Sequence, residues 1–186
     1  MDDFEEHVQA LIARALESVS PEEARDAYVV SLFVYDEEDD PRYPTITVGF
    51  NTETQVTATA GEAEDEDEAR WNFAFWLQNE LVVIADSERD PDGAALRRAW
   101  LEREGLWYEE DDDDEGEDAD ITGAFVAMAV RIVQRLHAGG LTEGVFGHAI
   151  PVLIHELEYY DEIAQQNRDA NPDGLADEFS AWIAAM

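Results

Sequence analysis

Cysteine and lysine are both missing from this 186-residue chain. Without cysteine there are no disulfides and no thiolate chemistry, and a reducing, cytoplasmic setting is the expected home. Without lysine the positive charge rests on 11 arginines, set against 46 acidic residues for a formal charge of −35. Binding to a phosphate backbone depends on clustered cations that displace counterions, so direct nucleic-acid binding is not expected. No run of apolar residues nears the ~18 needed to span a bilayer, so no membrane association is expected. The opening "MDDFEEH" is acidic where an export signal is basic. G-x-G-x-x-G, a phosphate-binding loop and G-x-S-x-G are absent too, which removes the usual signatures of nucleotide cofactors and serine hydrolases. No cofactor is indicated.

What is present is enough apolar material for a core. Hydrophobic residues make up 45% of the chain and aromatics 10%, which sets it apart from disordered acidic proteins. The length fits one domain, residues 1–186. Three acidic runs stand out, at 36–40, 62–68 and 109–120, and they hold 21 of the 46 acids. Setting them aside leaves 25 acids against 11 arginines, a balance of −14, so acidity belongs to the whole surface. Such a halophilic-type surface suits a salt-rich cytoplasm or a GC-rich genome. Its self-repulsion is screened as ionic strength rises. The melting temperature is therefore expected to climb steadily from about 50 mM to about 2 M sodium chloride. A midpoint that ignores salt, followed by circular dichroism, would mean that the fold already relieves the repulsion.

Periodicity predicts a helix over 4–19, where Phe4, Val8, Leu11, Ile12, Ala15, Leu16 and Val19 form one stripe. In "SPEE", Ser20, Pro21 and Glu23 make a capping box for a short second helical turn. "AYVVSLFVY" (27–35) is apolar on both faces and reads as a central strand, and "TITVGFN" (45–51) alternates as a half-buried one. "TQVTATA" (54–60) is a candidate third strand. The stretch from Arg70 reads as a helix to about Glu80, with "LVVIA" either continuing it or forming a strand. Further helices are expected over 91–104, capped by Asp90 and stopped by Gly105, and over 121–138. A strand is expected over 150–158, and Asn171-Pro172 reads as the opening of a C-terminal helix. The sum is a single α+β domain, a small mainly antiparallel sheet packed with amphipathic helices, with 109–120 as an exposed acidic loop.

Three places bear on chemistry. Taking Asp111 as the first ligand of a calcium loop puts Asp113, Glu115 and Gly116 in register, but Thr122 stands where a bidentate glutamate is required. "HELEYYDE" (155–162) begins like the zinc motif H-E-x-x-H, with Tyr159 at the second histidine position. No metal site and no catalytic residues follow from either. "RWNFAFW" (70–76) supplies the Trp and Arg anchors common in binding grooves, so Arg70, Trp71, Asn72 and Gln78 are the candidate binding residues. Aromatics at helical spacing also serve as core.

Taken in order, "YVVSLFVYDEEDD", "TVGFNTE", "ARWNFAFW" and "PVLIHELEYYDEIAQQN" before a late "NP" resemble uncharacterised bacterial families of about this length. Some of these are carried beside polymorphic-toxin loci as suspected immunity proteins. The resemblance implies a small cytosolic α+β protein that binds a partner and catalyses nothing. The expected function is thus an acidic, immunity-like binding protein whose negative surface suits a basic protein. A metal-dependent hydrolase using carboxylates around His155 is the alternative.

Overall fold

The computed structural model describes residues 2–109 and 119–186. Residues 110–118, most of the 109–120 run, lie outside the described residues, and with them the expected exposed loop and calcium-type ligands.

The chain opens with α1 (Asp3–Glu17), started by the Asp2 carboxylate, which accepts hydrogen bonds from the Phe4 and Glu5 amides. Its apolar stripe of Phe4, Val8, Ile12 and Leu16 is fully buried. Ser20 and Glu23 close the expected capping box of α2 (Pro21–Asp26). The next residues form β1 (Ala27–Asp36), which pairs antiparallel with β2 (Pro44–Thr52). Between them Glu37–Asp39 make one 3-10 turn.

Here the structure departs from the sequence reading. Residues 54–59 belong to a helix, α3 (Glu53–Thr59), which Ala60 caps, and not to a strand. The Thr52 hydroxyl caps the Gln55 amide, and the Thr57 and Thr59 hydroxyls donate back to the carbonyls of Glu53 and Gln55. The Thr52 cap favours the helix against the β-propensity of threonine and valine. The helix expected from 70 to 80 also ends early: α4 (Glu66–Trp71) gives way to a 3-10 turn at Phe73–Phe75. Asn72 breaks it, its side-chain oxygen accepting from the Ala74 amide. Gln78 then takes a left-handed backbone (φ 52°), and "LVVIA" forms β3 (Val82–Ile84) against β2.

The helices α5 (Pro91–Glu104) and α6 (Ile121–Ala138) follow the expected bounds, and α7 (Leu141–Phe146) follows them. Next come β4 (Val152–His155), α8 (Asp161–Ala170) and α9 (Asp177–Ala185). Asn171 ends α8 rather than opening a helix with Pro172. The sheet order is β3-β2-β1-β4, antiparallel except for β1 with β4. β1 is central, as its two apolar faces require.

The sheet separates two cores. On one face Val30, Leu32, Val34, Ile46, Val48, Val152 and Ile154 pack under α1, α5 and α6. There the buried Glu5 carboxylate takes both Arg131 and Arg135, tying α1 to α6. On the other face Tyr28, Val29 and Leu153 meet α3, α4, α8 and α9 through Val56, Trp71, Ile163 and Phe179. Among the described residues no helix is long and apolar enough to cross a membrane.

β4 lies at a sheet edge, yet α8 closes it with two side chains. Asn167 accepts from the Ile154 amide at 2.7 Å and donates to its carbonyl at 2.7 Å. Asn171 does the same for Val152 at 2.8 and 3.0 Å. The spacings match because four helical residues rise about 6 Å and two strand residues span about 6.6 Å. The two amides thus stand in for a further strand.

Candidate functional site

The second face opens to solvent at the C-terminal end of β1. Period-2 alternation puts Ser31, Phe33 and Tyr35 on that face, and exposure grows along the series. Ser31 is buried, Phe33 half-buried and Tyr35 44% exposed. Phe33 stacks on Phe73 with ring centroids 5.0 Å apart, and on Tyr35 at 6.3 Å.

Around Tyr35 lies an open cleft of about 430 Å³. Phe33, Tyr35, Leu157 and Tyr160 form its apolar surface, and Asp36, Asp39, Glu156 and Glu158 its rim. Leu157 is 71% and Tyr160 41% exposed. Three of the five large hydrophobics exposed among the described residues therefore meet in one place, which isolated surface residues do not do.

The rim is held from beneath. Arg97, buried under it, donates to the carbonyls of Pro44 and Ala85 at 3.2 and 2.8 Å and reaches the Glu37 carboxylate at 3.4 Å. Glu37 also accepts from the amide and hydroxyl of Ser87. Arg42 holds Asp40 through its amide and Nε. The turn that carries Asp39 is thus fixed to β2, β3 and α5. Burial, followed by repulsion from Glu156 and Asp40, raises the Asp36 carboxyl above the usual range. Its Oδ1 has no hydrogen-bond donor among the described residues.

Two other grooves were candidates. One of about 300 Å³ lies across Phe33 and Tyr35 from the cleft, lined by Phe73, Gln78, Val83 and the Glu80–Arg89 ion pair. Another of about 460 Å³ sets Glu64, Asp65 and Asp67 against Trp182 and Met186. Neither gathers as many exposed apolar side chains as the cleft.

The sequence-predicted binding residues do not converge. Trp71 is 4% exposed and packs against Tyr28 and Phe179, so it is core and offers no groove anchor. Arg70 reaches Glu53 at 2.9 Å with its guanidinium over the Tyr28 ring at 4.1 Å, and its carbonyl accepts from Tyr28 and Trp76. Asn72 shapes the 3-10 turn. Gln78 alone lines a groove, the one beside the cleft. Tyr35, Leu157 and Tyr160 escaped the sequence reading; their signal was the run "HELEYY" and the alternation of β1 carried to its last residue.

His155, the centre of the hydrolase alternative, is 1% exposed. Its Nδ1 lies 3.1 Å from the Glu156 carbonyl and its Nε2 2.8 Å from the Ser31 hydroxyl. Nδ1–H therefore donates to the carbonyl, and Nε2 accepts from Ser31. Phe33, Phe73 and Trp76 wall the imidazole at 4.8 to 5.6 Å between ring centroids. Burial pulls its pKa down to about 4. A serine beside an imidazole is the pairing that activates a nucleophile, but Ser31 is buried as well, and no acyl group reaches it in this state. Among the described residues no three His, Cys, Asp or Glu side chains gather as metal ligands.

Compared with models of known families, with characterised proteins and with solved structures, the chain finds no match.

Proposed function

We propose that this chain is a non-enzymatic, cytosolic binding protein of the immunity type, which captures a basic protein at the cleft beyond β1 and β4. One observation carries the reading: an exposed apolar cluster of Tyr35, Leu157 and Tyr160 ringed by Asp36, Asp39, Glu156 and Glu158. Interfaces commonly join an apolar centre to a charged rim. The centre sets residence time, and the rim speeds encounter with a partner of opposite charge.

Charge alone draws any basic protein to a −35 surface, so the test compares variants of equal net charge. One carries Asp39→Asn, Glu156→Gln and Glu158→Gln; the other Glu62→Gln, Glu64→Gln and Asp67→Asn. Both are measured by surface plasmon resonance against the basic product of an adjacent gene. The cleft triplet is expected to slow association about tenfold, the control triplet about twofold at most, and Leu157→Ser to speed dissociation. Equal slowing by both triplets, with no effect from Leu157→Ser, leaves only non-specific attraction and removes the reading.

A further inference from the structure

The molecule itself shows where guanidinium groups settle. Arg98 places its guanidinium carbon 3.4 Å from the centre of the Trp107 ring, and its nitrogens reach Glu102 at 2.6 Å and Glu109 at 3.2 Å. Arg70 lies 4.1 Å from the Tyr28 ring centre while both terminal nitrogens bond Glu53 at 2.9 Å. Arg42 lies 5.5 and 5.3 Å from the ring centres of Tyr43 and Tyr108, and holds Asp40 through Nε at 2.9 Å. Each niche has the same two parts, an aromatic face and a carboxylate. A guanidinium fits both at once, because its donors lie in the plane of the group and leave the flat faces free to stack. A lysine ammonium is compact and strongly hydrated and has no such face.

The cleft has the same two parts but no arginine of its own. Tyr35 and Tyr160 expose their rings, and four carboxylates line the rim. None of those four carboxylates forms an ion pair with any arginine among the described residues, and residues 110–118 contain no arginine. Asp36 Oδ1 lacks a donor but is itself shut off from solvent, so the acceptors within reach of the cleft are those of Asp39, Glu156 and Glu158. We propose that the cleft receives an arginine side chain of the protein partner, its guanidinium stacked on Tyr35 or Tyr160 and hydrogen-bonded to the rim carboxylates. This rests on the reading of the chain as a cleft-bearing binder of a basic protein, and it adds that the cleft distinguishes arginine from lysine.

Hexaarginine and hexalysine peptides of equal charge serve as probes, with isothermal titration calorimetry in moderate salt and carbon-detected NMR of the tyrosine rings. Hexaarginine is expected to bind about fivefold tighter or more, with the Tyr35 and Tyr160 ring signals shifting most. A Tyr35→Leu, Tyr160→Leu variant should bring the ratio to about one while keeping weak, charge-driven binding of both peptides. Both tyrosines are exposed side chains, and unchanged circular dichroism confirms that the variant folds. Equal affinities for the two peptides overturn the inference. So does a preference that survives the double substitution, which would place it elsewhere on the surface. The two readings fail separately: if the cleft triplet still slows partner association but no arginine preference exists, partner binding at the cleft stands and arginine recognition falls.

Discussion

Replacing Asn171 by alanine is expected to cost about 3 kcal/mol of folding stability, and Asn167 by alanine about 2 kcal/mol. The inequality follows from who else serves β4. Asn171 provides both partners of Val152, and the same oxygen lies 3.0 Å from His137 Nε2. Its loss leaves a buried amide and carbonyl unmet, at about 1–3 kcal/mol each. Asn167 also provides both partners of Ile154, but Gln166 donates to that carbonyl at 2.9 Å and remains when Asn167 is removed. The double substitution approaches the sum and takes up much of the roughly 5–15 kcal/mol available to a domain of this size. Asn171→Asp separates hydrogen bonding from packing, since the isosteric carboxylate accepts from Val152 but cannot donate to its carbonyl, and it buries a charge. It should destabilise at least as much as alanine. Urea unfolding gives these differences, and amide exchange at Val152 and Ile154 should accelerate with them. Midpoints within about 0.5 kcal/mol of the parent for all three single variants would show that water replaces the asparagines at no cost. The freed edge also exposes β4 to pairing with another chain, so aggregation is expected to accompany the loss.

These asparagines show where a sequence stops being readable. The buried stripe of α8 is Ile163, Ala164, Asn167 and Ala170, helical in spacing but interrupted by a polar residue. A search for apolar periodicity passes over it. The same search succeeds on α6, whose buried stripe is wholly apolar, and on α1, where Phe4, Val8, Ile12, Ala15 and Leu16 keep the period despite the buried Glu5 beside them. β1 and β2 were legible because their alternation and β-branched content agree with their burial. α3 was not, because a threonine run says strand by propensity and helix by capping. Binding anchors are harder still. Trp71 and Tyr35 are both aromatic residues in apolar stretches, and nothing local reveals that Tyr28 of β1 and Phe179 of α9 enclose the first while the second stays 44% exposed. That difference is a property of the assembled layers.

Acidification from pH 7 to pH 4 is expected to cost the parent protein roughly 3 kcal/mol relative to a His155→Gln variant. The imidazole titrates near 6.5 in the unfolded chain and at about 4 in the folded one, because burial disfavours its charged form. The unfolded state therefore binds more protons between those values, and unfolding is favoured as pH falls through the window. The contribution is fully present above pH 6.5 and is lost progressively as the pH approaches 4. A shift of 2.5 units at about 1.4 kcal/mol each sets the magnitude. Other groups pull in both directions. Protonation of surface carboxylates relieves repulsion on a −35 surface, and Asp36, with its raised pKa, takes up a proton more readily in the folded state. Asp40 and Asp90, whose pKa values are lowered, lose stabilising contacts as they protonate. Those terms are shared by both proteins and cancel in the difference. Glutamine keeps a polar side chain beside Ser31 and does not titrate, so the difference isolates the imidazole. Urea titrations of both proteins at half-unit steps of pH in about 1 M salt, which screens the surface charge, should give a gap that widens below pH 6.5 and levels near pH 4. A gap constant with pH would mean that His155 accepts its proton in the folded state at no cost. The enclosure by Phe33, Phe73 and Trp76 would then be stabilising the imidazolium through their ring faces rather than excluding it.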